Sequence, residues 1–451
     1  MEDLLQYGIK DLLHKLTKRD LHITDLLKFY EERIIKLDQT SEGFHSVRSL
    51  CEDSLLVARN LCENYQQSHS LSLYGIPLLV KDNIDVRGMV TTAGSIALSD
   101  NMCTNDAIVI KNLKKHGAII NGKTNMTEFA NFMSDHMPGG YSSYGGQVLS
   151  AYDKNENPWG SSTGSAVAVS ANLCAGAIGT DTSNSIVAAS MRNGIVGYKP
   201  PYQALSQKGI VPISFTLDSA GPMTRNVEDA ILLYEVMKDV YPKQRKVESL
   251  RGKQIAVNVW NRKLLSEEYN NTIDEITKDL MKQGANITHV SLPASENLKK
   301  IMMYEFKYGI NQYLKESNSN IQNLEQLIEY NECHKTEALR YGQAILIEAL
   351  HNTTGEMTEL RYHEIMMDRK RRIDEVTDQL KNYDACIMCG PNNLSHYLGY
   401  ASISLPHGLD KKGMPQGFIV TGVDEERLLS TALSMEANVL EGYVSPPMYL
   451  E

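Results

Sequence analysis

A stretch of small residues from 158 to 200 constrains the fold more than any other part of the chain. Two Ser-rich turns that contain glycine, at 160–165 and 179–185, flank a run of small apolar residues. Large apolar side chains are scarce in this run, so burial alone does not explain its composition. Glycine suits sharp turns and close approach to a ligand, and hydroxyls on such turns serve acyl-transfer chemistry. The alternative is two ordinary turns around a small-residue helix that packs closely on its neighbours.

Composition excludes several classes of protein. The 451 residues carry a net charge of −10, which argues against a nucleic-acid-binding surface. No run of about 18 apolar residues predicts a membrane span, and the acidic first residues lead into an amphipathic pattern rather than a signal peptide. The seven cysteines are scattered and odd in number, so no disulfide scaffold is expected. We expect a cytoplasmic protein with no metal or organic cofactor, since no ligand cluster has suitable spacing.

Hydrophobic periodicity predicts an α/β fold. Helical spacing dominates the first 65 residues. An apolar run from Ile76 to Val80 then predicts a buried strand that ends abruptly at Lys81. A predicted helix at 107–116 and a predicted strand at 118–120 follow. Apolar strands that alternate with helices favour a largely parallel or mixed sheet covered by helices on both faces.

The rest of the chain continues this pattern. Residues 134–157 are loop-like, and 226–238 return to helical spacing. Strands are predicted at 255–257, 287–290 and 401–405, with a final helix at 427–440. Cys386 and Cys389 form one C-x-x-C, which we interpret as core strand because no second pair has zinc spacing. We predict a single domain over 1–451, with N-terminal helices to about 65, a core at about 70–240, a more helical sub-region at about 250–380 and a closing strand and helix at about 381–451.

Three polar residues are candidates for chemistry. Lys81 closes an apolar strand, where desolvation lowers the pKa of an ammonium group, and a neutral lysine can act as a general base. The alternative is that Lys81 pairs with Asp82 or another carboxylate. Ser161 and Ser162 could serve only as helix caps. Ser185 follows a turn in a segment that resembles an elbow presenting a hydroxyl, and its neighbour Asn184 tolerates positive φ better than most residues.

These segments resemble the motifs of the amidase signature family, in the same order and over nearly the whole chain. The matching segments are G-I-P-L-L-V-K-D-N-I at 75–84, T-T-A-G-S at 91–95, G-K-T-N-M-T-E-F-A at 122–130, G-S-S-T-G-S-A at 160–166, G-T-D-T-S-N-S-I at 179–186, G-I-V-G-Y-K-P at 194–200, D-S-A-G-P-M-T-R-N-V-E-D-A at 218–230 and G-Y-A-S-I-S-L-P-H-G at 399–408. One such motif is weak, but this many in order is specific. The resemblance implies the amidase signature fold, with a large mixed sheet, and hydrolysis of a carbon–nitrogen bond in a small or medium amide.

The resemblance also implies roles for individual residues. Lys81 becomes the base, Ser161 the bridging serine on a cis peptide bond, and Ser185 the nucleophile that forms an acyl-enzyme. Neutral Lys81 would accept a proton from Ser161, which would accept one from Ser185. The oxyanion would be met by the backbone N–H groups of three residues, Thr182, Ser183 and Asn184.

The chain departs from the family pattern beside these residues. Ser183 and Asn184 replace a glycine pair, Val187 replaces an arginine, and Ala189 replaces a proline. Thr163 replaces a glycine beside the bridging serine. The three reacting side chains are all present, so we expect an active amidase of the stand-alone bacterial type.

Two other functions stay open. One is the A subunit of a glutamine-dependent tRNA amidotransferase, which requires a partner protein. The other is a catalytically impaired binding homologue, which is suggested by the departures from the family pattern at Ser183, Asn184 and Val187. For the enzyme we expect a small-molecule amide substrate, no contact with membrane or nucleic acid, and a monomer or homodimer. Candidate pocket segments are 137–146 and the helical region around 304–313.

Overall fold

Within residues 2–260 and 262–446, which the computed structural model describes, eleven strands form one mixed sheet. A two-stranded hairpin, β4 with β5, lies apart from it. The strands are β1 Val47–Leu50, β2 Pro77–Lys81, β3 Ile119–Thr124, β4 Tyr141–Ser142, β5 Gly146–Gln147, β6 Gly176–Asp181, β7 Val196–Lys199, β8 Ser219–Thr224, β9 Gln254–Asn258, β10 Asn286–Val290, β11 Ala385–Met388, β12 Ala401–Leu409 and β13 Pro415–Gly422. Their order in the large sheet is β1-β3-β2-β6-β8-β7-β12-β13-β11-β9-β10.

Both directions of pairing occur in the large sheet. Strand β2 runs parallel to its neighbours β3 and β6, and β9 runs parallel to β10 and β11. The remaining neighbours pair antiparallel. The predicted mixed α/β fold is therefore confirmed.

Helices cover this sheet. They are α1 Ile9–Lys18, α2 Ile23–Arg33, α3 Ser54–Glu63, α4 Tyr65–Ser68, α5 Ile108–Lys115, α6 Thr163–Ser170, α7 Val187–Arg192, α8 Val227–Met237, α9 Glu267–Lys282, α10 Leu298–Glu316, α11 Leu324–Cys333, α12 Lys335–Ala338, α13 Ala344–Asn352, α14 Leu360–Leu380, α15 Leu394–Leu398 and α16 Glu425–Asn438. Short 3₁₀ segments lie at Glu2–Gln6, Ile96–Leu98, Glu128–Asn131 and Arg262–Leu264, and a π-helical turn at Ile34–Asp38 follows α2.

The side chains of β2 point alternately to the two faces of the sheet. Leu78 and Val80 belong to the core shared with α1, α2, α5, α8 and α16. Leu79 points to the opposite face and packs with the small residues of α6. Since side chains alternate along a strand, Lys81 lies on the α6 face together with Leu79.

The small residues of α6 permit very close packing, and all eight of its residues are buried. A Cβ added to Gly164 would lie 2.2 Å from the carbonyl oxygen of Asn125 and 2.4 Å from that of Ser46. Residue 164 must therefore be glycine for α6 to approach these backbones. The stretch at 158–200 does contain a closely packed small-residue helix, and it also contains strands β6 and β7.

Most predicted elements are confirmed, and several strands were not predicted. Strands β2, β3, β9, β10 and β12 and helices α5, α8 and α16 lie where periodicity places them. Cys386 lies in β11 and Cys389 just after it, and both are buried free thiols. Strand β1 lies in the segment predicted to be helical, and β6, β7, β8 and β13 were not identified as strands. The prediction of a single domain stays a prediction, and Met1, Asn261 and residues 447–451 lie outside the described residues. No helix in the described ranges is long and apolar enough to cross a membrane.

Candidate active site

The candidate site lies where two parallel strands end side by side. Strands β2 and β6 are parallel neighbours, so Lys81 at the end of β2 lies close to Thr180 and Asp181 at the end of β6. The carboxyl edge of parallel strands is where open α/β sheets bind ligands. Ser161 lies just before α6 and Ser185 just before α7, at this same edge.

Lys81 is buried among hydroxyl groups rather than carboxylates. Its Nζ lies 2.8 Å from Ser161 Oγ, 2.9 Å from Ser162 Oγ and 2.8 Å from Thr180 Oγ1. No carboxylate among the described residues forms an ion pair with it. Asp82 instead pairs with Arg48 at 2.8 Å. The alternative in which Lys81 pairs with Asp82 is therefore wrong.

Burial lowers the pKa of Lys81 to about 7, although the nearby charges of Asp181 and Asp218 act to raise it. A low-dielectric site disfavours the charged ammonium form. The neutral amine is therefore well populated near pH 7, and its lone pair can accept a proton from a hydroxyl.

Ser161 follows a cis peptide bond from Gly160. Its carbonyl oxygen accepts a hydrogen bond from the N–H of Thr127 at 3.1 Å, which fixes the turn. Thr163 Oγ1 donates to the carbonyl of Trp159 at 2.6 Å, and a Cβ at Gly160 would lie 2.6 Å from that Oγ1. The threonine that replaces a family glycine thus fills the space against Gly160 and holds the preceding backbone. Ser162 does not cap α6 through its side chain.

Ser185 is nearly buried, with 7% of its surface exposed, and it lines a cavity. The residue before it, Asn184, has φ of +74°, which asparagine adopts more readily than most residues. Of the predicted oxyanion donors, the N–H groups of Thr182 and Ser183 donate to no protein acceptor within the described ranges. The N–H of Asn184 donates to His396 Nε2 at 3.0 Å.

Asp181 and His396 hold this turn, and sequence reasoning did not single out either. Asp181 Oδ2 accepts the N–H of Ile186 at 2.7 Å and that of Val187 at 3.2 Å. Its Oδ1 lies 2.9 Å from His396 Nε2. Burial acts to raise the pKa of Asp181, but the charge and hydrogen bond of His396 and the backbone donors outweigh it and bring the pKa to about 2. Val187, which replaces the family arginine, is buried among apolar side chains.

Asp218 connects the turn to the wall of the cavity. Thr182 Oγ1 donates to Asp218 Oδ1 at 2.6 Å. The N–H groups of Ile213 and Ser214 donate to Oδ2 at 2.8 and 3.0 Å. Burial raises the pKa of Asp218 to about 7 despite these donors, and the charge of Glu305 adds to the effect.

Glu305 extends this network into the helical sub-region. It lies on α10 and is fully buried. Its Oε2 accepts from Ser214 Oγ at 2.5 Å and from the N–H of Thr216 at 3.0 Å. Tyr362 on α14 donates to Oε1 at 2.7 Å. The segment after Ile213 is thus held by side chains from two helices.

A cavity of about 440 Å³ opens onto the two serines. It is lined by Ala130, Asn131, Phe132, Asp135, Gly160, Ser161, Thr182, Ser183, Ser185, Ile213, Ser295, Glu296, Leu298, Lys299, Met302, Ile345 and Asn393. The pocket segments expected at 137–146 and 304–313 are not among these residues. Tyr141 and Phe306 instead pack in the core of the helical sub-region. The free energy gained by burying an apolar side chain rises with the surface removed from water, which favours full burial of these large residues. No group of three or more His, Cys, Asp or Glu in the described part of the chain could hold a metal ion.

A family model described as Amidase matches residues 25–393. The chain belongs to the amidase family. A probable amidase of Arabidopsis thaliana is 30% identical to it over 98% of this chain and 91% of that protein. The crystal structure of native peptide amidase from Stenotrophomonas maltophilia is 30% identical, with a TM-score of 0.88 and 98% of both chains covered. These similarities show that this amidase is an enzyme that hydrolyses an amide carbon–nitrogen bond.

The amidase is also similar to a component of a larger enzyme. One chain of the glutamyl-tRNA(Gln) amidotransferase of Halothermothrix orenii, its A subunit, is 28% identical over 96% of this chain and 97% of its own length. Family membership alone therefore does not identify the substrate.

Proposed function

We propose that this amidase transfers the acyl group of its substrate to Ser185, with Ser161 and Lys81 carrying the proton. The observation that supports this most is the 2.8 Å contact between Lys81 Nζ and Ser161 Oγ in a buried site without a partner carboxylate in the described residues. A lysine in such a site is a base at neutral pH rather than a permanent cation.

Apart from the substrate and one water molecule, the proposed reaction uses only these three side chains and the backbone donors of the turn. Neutral Lys81 takes the Ser161 proton while Ser161 takes the Ser185 proton, and Ser185 Oγ attacks the carbonyl carbon. The N–H groups of Thr182 and Ser183 stabilise the oxyanion, a contribution worth roughly 3–4 kcal/mol per donor in hydrolases, whereas the N–H of Asn184, the third predicted donor, donates to His396. As the intermediate collapses, the carbon–nitrogen bond breaks, Ser161 gives a proton to the leaving amine, and the Lys81 ammonium returns its proton to Ser161. A water molecule then gives a proton to Ser161, which passes one to Lys81, and attacks the acyl carbon. When the bond between the acyl carbon and Ser185 Oγ breaks, Ser161 returns a proton to Ser185 and Lys81 reprotonates Ser161.

The cavity lining supports an uncharged, partly apolar acyl group as substrate. Phe132, Ile213 and Met302 supply apolar surface, and at the mouth Lys299 is already paired with Asp135 at 3.2 Å. An anionic substrate group would have to displace Asp135 from Lys299. Similarity to peptide amidase adds an amidated peptide as a specific candidate, because its terminal carboxamide is small and its adjacent side chain can be apolar.

Intact-protein mass after exposure to a fluorophosphonate tests the proposal. We expect one adduct on the wild type, no adduct on Ser185→Ala and slow labelling of Lys81→Ala. An active peptide amidase labelled in parallel is the positive control. A wild type that resists the probe while this control reacts would contradict the acyl-enzyme and favour an impaired binding homologue.

The amidotransferase component is a second candidate because the similarity covers nearly both whole chains. It requires a partner chain and glutamine as the amide donor. Glutamine hydrolysis by the isolated chain, set against hydrolysis of apolar amides and amidated peptides, separates the two. Preference for glutamine and co-purification with a second chain would favour the amidotransferase.

A further inference from the structure

We propose that Glu296 is a specificity-determining residue that binds an ammonium group at the far end of the substrate's acyl group. The preferred substrates are then short amidated peptides with a positively charged amino terminus. This deepens the proposed function and rests on it, because it names the class of amide that the cavity at Ser161 and Ser185 accepts. The acyl group stays uncharged where it meets the apolar wall, and only its far end carries the charge.

Glu296 lines the same cavity as the two serines. The lining contains two carboxylates, Asp135 and Glu296, and one ammonium group, Lys299, so it has an excess of one negative charge. The cavity volume of about 440 Å³ lies within the range of pockets that bind small ligands. Complementarity of charge therefore favours a cationic group over an anionic one in this cavity.

The Glu296 carboxylate forms no ion pair and accepts no hydrogen bond within the described part of the chain. The two lysines that follow it have other partners. Lys299 Nζ lies 3.2 Å from Asp135 Oδ2, and Lys300 Nζ lies 3.2 Å from Asn297 Oδ1. A cation on the substrate can therefore pair with Glu296 without displacing any group of the protein.

The backbone on both sides of Glu296 is held in place. Asn393 accepts the N–H of Ser295 at 2.9 Å and donates to the carbonyl of Ser295 at 2.9 Å. The N–H of Asn297 donates to Ser295 Oγ at 3.2 Å, and its side-chain amide donates to Asp368 at 3.2 Å. Because the turn is already ordered, little conformational entropy is lost there when a ligand binds.

The contact should select among substrates rather than accelerate the chemical step. Glu296 is exposed to solvent, so water and dissolved salt weaken its attraction for a cation. An interaction at the end of the acyl group that is equally strong in the bound substrate and in the transition state lowers KM and leaves kcat unchanged. We therefore expect the effect of Glu296 in KM.

The experiment measures kcat and KM of the wild type, Glu296→Gln and Glu296→Lys at about pH 7, where a peptide amino terminus is largely protonated. The substrates are alanyl-leucinamide, which has a free ammonium group, and its neutral N-acetyl and anionic N-succinyl derivatives. N-acetyl-lysyl-leucinamide and N-acetyl-norleucyl-leucinamide test an ammonium group on a side chain. Glu329→Gln is the matched control, since Glu329 is exposed on α11 and lies outside the cavity lining.

We expect the KM of the wild type to be up to about fivefold lower for alanyl-leucinamide than for its N-acetyl derivative, the usual strength of an exposed ion pair. Glu296→Gln should remove this preference, and Glu296→Lys should reverse it in favour of the N-succinyl derivative. Salt at about 0.5 M should reduce the preference of the wild type. The Glu329→Gln control should keep it. A preference for the lysyl over the norleucyl substrate would show that Glu296 also binds a side-chain ammonium group.

An equal change in KM for the neutral and the cationic substrate in Glu296→Gln would overturn the inference, as would a wild type that prefers the N-acetyl derivative. The rate of fluorophosphonate labelling at Ser185 shows whether each variant keeps an intact site. A wild type that is labelled but hydrolyses none of these amides would also overturn the inference while leaving the acyl-enzyme in place. A wild type that resists the label would instead contradict the proposed function.

Discussion

The backbone N–H of Ser162 donates to the carbonyl oxygen of Ser185 at 3.1 Å. The turn before α6 and the turn before α7 are therefore joined directly through their main chains. The spacing between Ser161 and Ser185 is thus set by backbone, and side-chain substitutions in either turn should change reactivity without separating the turns.

Ser161 and Ser162 both contact Lys81, but we expect only Ser161 to be needed for chemistry. Ser161 lines the cavity, whereas Ser162 Oγ donates to the carbonyl of Thr180 at 2.9 Å and is fully buried. Ser161→Ala should lower kcat/KM about 10²–10⁴-fold, the usual contribution of a proton-transfer group. Ser162→Ala should cost less than about tenfold in rate and about 1 kcal/mol in the free energy of unfolding. Kinetics and urea unfolding of both variants would test this, and equal losses of activity would contradict it.

The pH dependence of kcat/KM should follow Lys81. In the proposed mechanism its neutral form is the base. Because burial lowers its pKa to about 7, the rate should rise with pH and level off about one unit above that value. Lys81→Arg, which stays charged, should be inactive across the whole range. Circular dichroism at each pH would control for unfolding. A rate independent of pH between about 5.5 and 8.5 would exclude a titrating lysine as the base.

Asn184→Gly should be active, and Asn184→Ala should be less stable. Residue 184 has φ of +74°, where glycine is unstrained and a Cβ without a compensating side chain costs about 1–2 kcal/mol. The Oδ1 of Asn184 is buried without a hydrogen-bond partner in the described residues, so glycine removes an unsatisfied atom. Thermal unfolding and kcat of both variants would test this. A glycine variant that loses more activity than the alanine variant would show that the asparagine side chain itself contributes to the reaction.

Glu305→Gln should raise KM and lower stability. The carboxylate of Glu305 accepts from the Ser214 and Thr216 side chains, the Thr216 N–H and Tyr362. The amide N–H₂ group of glutamine would face one or more of these hydrogen-bond donors. The unsatisfied donors should lower the free energy of unfolding by about 1–3 kcal/mol. Tyr362→Phe, which removes a single donor, is the milder control. A Glu305→Gln variant with wild-type KM and melting temperature would contradict the role we give this residue.

The sequence misses β6 and β8, which are built largely from small residues, and it also misses β13, although β13 contains Phe418, Ile419 and Val420. Strand β2 is visible because Leu78, Leu79 and Val80 form a compact apolar run. Strand β8 is Ser219–Thr224 and lies between β6 and β7, yet it contains Pro222 opposite Ile178. Proline normally argues against an interior strand because it lacks an N–H. The composition of β8 therefore does not predict a strand, and its pairing with β6 and β7 is seen only in the structure.

The candidate site likewise contains residues that the sequence predicts and a residue that it does not. Lys81, Ser161 and Ser185 belong to motifs that can be identified one by one, and their proximity follows from parallel strands that end at one edge. His396 lies more than two hundred residues away from the turn that it contacts. It follows Asn and Ser residues on a short helix, and nothing in that segment distinguishes it from a surface histidine. Its contact with Asp181 depends on how α15 packs against the sheet, which local patterns do not encode.

The network from Thr182 through Asp218 and Ser214 to Glu305 has a consequence for evolution and engineering. The cavity wall at Ile213 and Thr182, a proposed oxyanion donor, are connected through Asp218 and Ser214 to Glu305 on α10. A substitution on α10 that admits a new substrate will also disturb the geometry at Thr182. Variants selected for altered specificity in this region should therefore lose turnover first and regain it only through second substitutions, so mutational paths to new amides are expected to be indirect.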